Sequence, residues 1–272
     1  MNVQRFGLLI ALASLAGSTA CQRDTGGITN TLAPLAYVRV VHAMPDLGKM
    51  TGRLVDSVEN LNVVDVDYRY VGPYQGVGAG NRHLRIFPSS ENITIASTIL
   101  IDSTITFTAG SYYTLLATGN TQGGAKAKFI VLNDTPPTPS SSQFALRTVV
   151  AAPGVGPVDV FASATGGTAP LPATASMGNV SATSAYVTFP TAASLVLRAT
   201  AAGSTTPVMV ESTVLAGAAG TSVQDPIAGS TQGGSVLTAF LFPRSVAGSG
   251  AANFTTPGIA YGIDRRPPRP TS

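Results

Sequence analysis

Val38-Arg39-Val40-Val41-His42-Ala43-Met44-Pro45-Asp46 and Leu146-Arg147-Thr148-Val149-Val150-Ala151-Ala152-Pro153-Gly154 read almost alike. Each is an extended, β-branched run that stops at a Pro turn, because proline lacks the amide proton a strand ladder needs. Arg39 corresponds to Arg147 and Pro45 to Pro153, both at an offset of 108 residues. A period of that length is a whole domain rather than a solenoid unit. The two stretches therefore mark the starts of two copies of one domain.

Working outward, Thr121-Gln122-Gly123-Gly124 recurs as Thr231-Gln232-Gly233-Gly234 at an offset of 110, and Phe129–Leu132 aligns with Ala239–Phe242. In the first copy, strand signals fall at 37–42, 53–58, 63–71, 83–87, 93–101, 104–108, 112–118 and 129–132. Strands this short, joined by 29 Gly and 19 Pro over the whole chain and without a sustained helical period, predict an all-β chain of two tandem β-sandwiches. The expected boundaries are 37–134 and 144–245, joined by a Pro/Ser linker at 135–143. Residues 246–272 hold a possible last strand and a basic Pro-rich tail, read as solvated. The second-copy counterpart of 112–118 is expected at 222–228, where Pro226 would make it an edge or irregular.

The net charge of +3 comes from the ends. Without Arg5, Arg265, Arg266 and Arg269 the chain holds 12 basic and 13 acidic residues. Residues 37–134 carry 8 of each sign and residues 144–244 carry 3 of each. Neither copy has the basic stripe that phosphate backbones require, which argues against nucleic acid as a partner.

Residues 1–20 read as a signal peptide: Arg5 supplies the positive end, and Phe6–Ala13 is apolar but too short to span a bilayer. Ser18-Thr19-Ala20-Cys21 follows, and Cys21 is the single cysteine, so no intrachain disulfide can form. The segment resembles a bacterial lipobox, with Ser18 where that motif usually has Leu. The resemblance implies lipidation at Cys21, a membrane anchor, and a flexible tether over 21–36. The expected address is the bacterial cell envelope, at the outer membrane or cell surface.

Val38-Arg39-Val40-Val41-His42-Ala43-Met44-Pro45-Asp46 resembles the opening of the bacterial domain of unknown function numbered 4397, whose members begin Val-Arg-x-x-His-Ala-x-Pro-Asp. Ala109-Gly110-Ser111-Tyr112-Tyr113-Thr114 is similar to its later Ala-Gly-x-x-Tyr-Thr strand, and Pro157-Val158-Asp159-Val160-Phe161 to its Val-Asp-Val-Tyr element. The resemblance covers 37–134 well and 144–244 weakly. It implies a secreted or surface-anchored immunoglobulin-like sandwich and carries no activity with it.

Chemical motifs are sparse. The chain has no Gly-x-Ser-x-Gly elbow, His-Glu-x-x-His, cysteine pair or phosphate-binding glycine loop. Catalytic residues, metal ligands and cofactors are therefore expected to be none. His42 is read as a turn residue bonding backbone near Pro45, and His83 as solvated beside Arg85. Asp65 and Asp67 are the best carboxylate pair, since i and i+2 share one face of a strand. In that alternation Val64, Val66, Tyr68 and Tyr70 take the opposite, core-facing side. The expected function is a non-catalytic envelope lipoprotein, structural, adhesive or binding an envelope protein or glycan. The alternatives are an envelope hydrolase using Asp65, Asp67 and His42, and a scaffold assembling through strand edges.

Overall fold

A computed structural model describes residues 34–57, 59, 61–151, 156–164, 176–180, 183–192 and 194–270. The leader and Cys21 lie outside them. Among the described residues no helix is long and apolar enough to cross a membrane.

The first copy runs β1 (Leu35–Ala43), β2 (Lys49–Leu54), β3 (Val66–Asp67), β4 (Gln75–Gly78), β5 (Gly80–Pro88), a helical turn α1 (Ile93–Ala96), β6 (Ile101–Phe107), β7 (Tyr112–Thr118) and β8 (Lys128–Asp134). The second runs β9 (Gln143–Val150), β10 (Val158–Ala164), β11 (Ser176–Val180), β12 (Val187–Pro190), β13 (Leu195–Ala201), β14 (Val208–Thr213), β15 (Val236–Phe242) and β16 (Gly258–Arg265). Each copy makes two four-stranded sheets of matching order. β4-β1-β7-β8 corresponds to β12-β9-β15-β16, and β3-β2-β5-β6 to β11-β10-β13-β14. In each copy the first strand pairs in parallel with the seventh: Arg39 lies opposite Thr114, and Arg147 opposite Thr238.

Among the described residues, three buried cores hold the fold together. One fills the first sandwich, with Val38, Val40, Leu84, Ile86 and Leu115 among its members. Another fills the second, with Phe144, Leu146, Val160, Leu197 and Leu237. The third lies between the copies and joins Val41, Ala43 and Leu116 to Val149, Ala151, Phe240 and Phe242. Period-2 alternation explains this sorting. Along β1, Ala36, Val38 and Val40 point into their own sandwich, while Arg39, Val41 and Ala43 point across to the other copy. Both faces of β1, β7, β9 and β15 are thus covered, which is why these strands read as mostly apolar runs with a few polar residues set into them. Residues 34–272 accordingly form one compact unit.

Several expectations change. The counterpart of β7 is β15 rather than 222–228, because β15 holds the parallel place beside β9. Residues 222–228 lie in irregular backbone, with Val223 87% exposed. Thr121-Gln122-Gly123-Gly124 follows β7 whereas Thr231-Gln232-Gly233-Gly234 precedes β15, so that identity marks no equivalent place. Strand β16 pairs with β15 along its length, extending the second sandwich's sheet to Arg265.

The stretch at 63–71 contains only the two-residue β3, because Asn62, Asp65 and Arg69 take positive φ of 48°, 52° and 72°. A left-handed residue turns the chain out of strand geometry. Residues 93–101 begin as a helical turn, whose N-cap Asn92 accepts a hydrogen bond from the Thr94 amide at 3.0 Å. Nor is the tail free: Arg269 pairs with Asp225, and Arg265 donates to Thr138 Oγ1 at 2.9 Å.

Candidate functional site

Among the described residues, the buried charges of Arg39, Asp134, Arg147 and Asp264 gather at the seam between the sandwiches. Arg39 and Arg147 enter it from the middle of two strands whose alternation points them away from their own cores. Their guanidinium Nε atoms donate to the threonines across the parallel pairs, Arg39 to Thr114 at 2.7 Å and Arg147 to Thr238 at 2.8 Å. Each threonine hydroxyl donates in turn to the aspartate closing the last strand of its copy, Thr114 to Asp134 and Thr238 to Asp264. A tyrosine caps each aspartate: Tyr74 OH donates to Asp134 at 2.6 Å and Tyr186 OH to Asp264 at 2.9 Å. The same tyrosines lie against the arginines of their own copies, with 4.5 Å from Arg39 to the Tyr74 ring and 4.7 Å from Arg147 to Tyr186.

The shortest ion pairs cross between copies, and within the first Arg39 Nη2 also lies 3.9 Å from Asp134 Oδ2. Arg39 Nη1 lies 2.7 Å from Asp264 Oδ1, and Arg147 Nη2 bonds Asp134 Oδ1. The side chains of Arg39, Asp134 and Asp264 are fully buried. The Arg39 N–H bond is not aimed at Asp264 Oδ1, so that contact is charge attraction rather than an aligned hydrogen bond. Two cations and two anions balance inside a low-dielectric seam, where an unpaired charge would be costly. Burial pushes the phenols of Tyr74 and Tyr186 well above their ordinary range, and the neighbouring aspartates add to the shift. Each arginine, threonine, tyrosine and aspartate of the cluster bonds or ion-pairs with another member.

At one end the seam opens. Tyr37 and Tyr112, opposite each other in β1 and β7, stack at 4.7 Å and 17°. Tyr74 meets Tyr112 edge-on at 5.1 Å. These three rings, with Gly262, Asp264 and Arg266, border a cleft of about 510 Å3. A second cleft of about 660 Å3 shares Tyr112, Asp264, Arg265 and Arg266 and continues past Pro139 to Pro268.

Elsewhere along the seam, backbone and side chains of the first copy meet backbone of the second. Val246 N–H donates to Pro45 O at 2.9 Å, Tyr68 OH to Pro243 O at 3.0 Å, and Arg69 Nη2 to Pro243 O at 2.9 Å. A Cβ on Gly48 would stand 2.4 Å from Gly250 O.

The residues singled out from sequence fall apart in space. His42 is fully buried; its Nδ1 accepts from the Met44 amide at 3.3 Å, the local turn role expected of it. Desolvation holds its pKa down to about 3, against a weaker opposing hydrogen bond with the Leu47 backbone. His83 is part-exposed and bonds Asp102, which also accepts from Arg85 Nε at 2.9 Å. The hydrogen bond from His83 leads in holding the Asp102 carboxyl below its usual range.

Asp65 and Asp67 do not form the expected strand pair, since Asp65 sits in a left-handed turn. Both are exposed, Val64 is 58% exposed, and Tyr68 is buried in the seam rather than in the first sandwich's core. Asp46, unremarked in the sequence beyond the motif, accepts from the Thr121 amide at 2.7 Å, its hydroxyl at 2.9 Å and the Gln122 amide at 3.1 Å. Among the described residues no group of His, Cys, Asp and Glu could hold a metal.

Sequence reasoning paired Arg39 with Arg147 but missed the rest of the seam cluster. Its paired members stand at offsets of 108, 112, 124 and 130, for arginine, tyrosine, threonine and aspartate respectively. Loops of unequal length between matching strands spread these offsets, so no fixed-period alignment superposes them. The available signal was a polar residue inside an apolar strand run, as at Thr114 and Thr238.

A family model described as a domain of unknown function (DUF4397) matches residues 36–161. No curated protein matches the chain. Among solved structures, a leucine-rich repeat protein from Bacteroides thetaiotaomicron VPI-5482 aligns at 8% identity, covering 78% of this chain and 26% of that one. Its TM-score of 0.16 lends it no weight.

Proposed function

We propose that this chain, whose residues 36–161 match the DUF4397 family model, is a non-catalytic, envelope-anchored lipoprotein presenting a paired β-sandwich as a binding module. The observation that carries this reading is the seam. Arg39, Arg147, Asp134 and Asp264, the most deeply buried charges described, are spent on joining the two copies. The candidate hydrolytic groups do not converge either, with His42 buried and neutral and Asp65 turned out of the strand. General acid–base work needs a titratable group within hydrogen-bond reach of substrate.

The anchor rests on Arg5, the apolar run Phe6–Ala13 and Cys21. Palmitate labelling of the full chain against Cys21→Ser, followed by fractionation, tests it. The expected result is label and membrane association in the wild type, both lost in the variant. An unlabelled wild type overturns the anchor.

A second reading has one observation behind it. Edge strand β14 leaves Val208 and Met209 each 44% exposed, the kind of edge through which sheets assemble. A sedimentation mass that rises with concentration, and falls back in Val208→Lys, is the outcome that reading expects.

A further inference from the structure

We propose that the two adjoining clefts at the open end of the seam form a groove for a carboxylated saccharide, with Tyr37 and Tyr112 as its stacking platform and Arg266 as its carboxylate partner. This rests on the reading of the chain as a binding module and names the ligand class.

The platform is built before any ligand arrives. Tyr37 and Tyr112 face each other across a parallel strand pair and stack at 4.7 Å. Tyr112 is braced edge-on by Tyr74, whose hydroxyl is tied to the buried Asp134 and whose ring lies against Arg39. Rings held this way lose little freedom on binding. Tyr37 nonetheless keeps 37% of its surface exposed. The negative face of a phenol ring attracts the weakly positive C–H face of a pyranose.

Charge selects the acid. Three arginines stand in the tail, and two are engaged: Arg265 with Thr138 and the Pro136 carbonyl, Arg269 with Asp225. Arg266 is exposed and makes no ion pair among the described residues. Arg266 borders both clefts, and a guanidinium takes a carboxylate through two parallel hydrogen bonds. The one carboxylate lining the clefts, Asp264, is already matched by Arg39. Volumes of about 510 and 660 Å3 lie within the ordinary range for small-ligand sites. A nucleic-acid strand would require a row of free cations, and an uncharged Pro-rich peptide would leave Arg266 without a role.

Calorimetry on the full chain with tetragalacturonate tests the groove, beside its methyl ester, inorganic polyphosphate and a decaproline peptide. The expected result is binding of the acid that weakens about tenfold or more, ~1.4 kcal/mol, in both Arg266→Gln and Tyr37→Ala. The methyl ester should bind wild type no better than the acid binds Arg266→Gln. No binding of the acid, equal binding in the two variants and wild type, or polyphosphate or decaproline binding more tightly than the acid each overturns the proposal. Both substitutions are at exposed positions, and circular dichroism of each variant checks that it folds. Palmitate labelling of Cys21 is independent of the groove, so a failed anchor and a failed groove are told apart.

Discussion

Arg39 of the first sandwich and Asp264 of the second lie 2.7 Å apart with both side chains fully buried, and their pseudo-symmetric counterparts Arg147 and Asp134 form the reciprocal pair. The shortest ion pair of each arginine is therefore with an aspartate of the other copy, while Arg39 also lies 3.9 Å from Asp134 of its own. Truncating one partner leaves an uncompensated charge in an apolar seam, which typically costs ~3–5 kcal/mol. Arg39→Met should destabilise the chain by that order in denaturant unfolding, and adding Asp264→Asn should recover part of the loss. Strict additivity of the two changes would show that the pair is not coupled.

Because a third core lies between the copies, they should unfold together. Calorimetry of the wild type is expected to give one transition. Phe240→Ala, which empties a fully buried position in that core, should cost ~3–5 kcal/mol. Two resolved wild-type transitions would mean that the copies are energetically separate.

His42 gives stability a pH dependence of known sign. Its folded pKa is lowered by burial from 6.5 to about 3, so between those values the unfolded chain binds a proton that the folded one excludes. The stability from neutral His42 is complete above the unfolded value and declines as pH falls toward the folded one. The slope approaches ~1.4 kcal/mol per pH unit within the window. Urea midpoints from pH 7 to 4 should fall less steeply in His42→Asn than in the wild type.

Asp46 ties the loop after β7 through three accepted hydrogen bonds. Asp46→Ala leaves those donors to water and should cost ~1–3 kcal/mol. Faster amide exchange at Thr121 and Gln122, with β7 itself still protected, is the expected signature.

Gly48 has room for no side chain, since a Cβ would meet the Gly250 carbonyl oxygen at 2.4 Å. Backbone from both copies must shift to admit one. Gly48→Ala should therefore lower stability by ~1–3 kcal/mol. A thermal midpoint equal to wild type would argue that the Gly250 loop yields freely.

The sequence by itself determined the all-β character, the duplication and the equivalence of Arg39 with Arg147. These follow from local rules: period-2 alternation, turn residues, and a repeated strand ending at proline. The same rules failed at 63–71, where the alternation looks like a strand but Asn62, Asp65 and Arg69 turn left-handed. They failed also at 222–228, where an offset copied from the first domain pointed to the wrong segment. Only the tertiary structure decided that the copies share a buried seam, that Thr114, Asp134 and Tyr74 match Thr238, Asp264 and Tyr186, and that Tyr37, Tyr112 and Arg266 border one groove. The reason is physical. A strand's pattern says that two faces are covered, but not by what; which surface covers the second face depends on contacts between residues as many as 225 positions apart, as for Arg39 and Asp264.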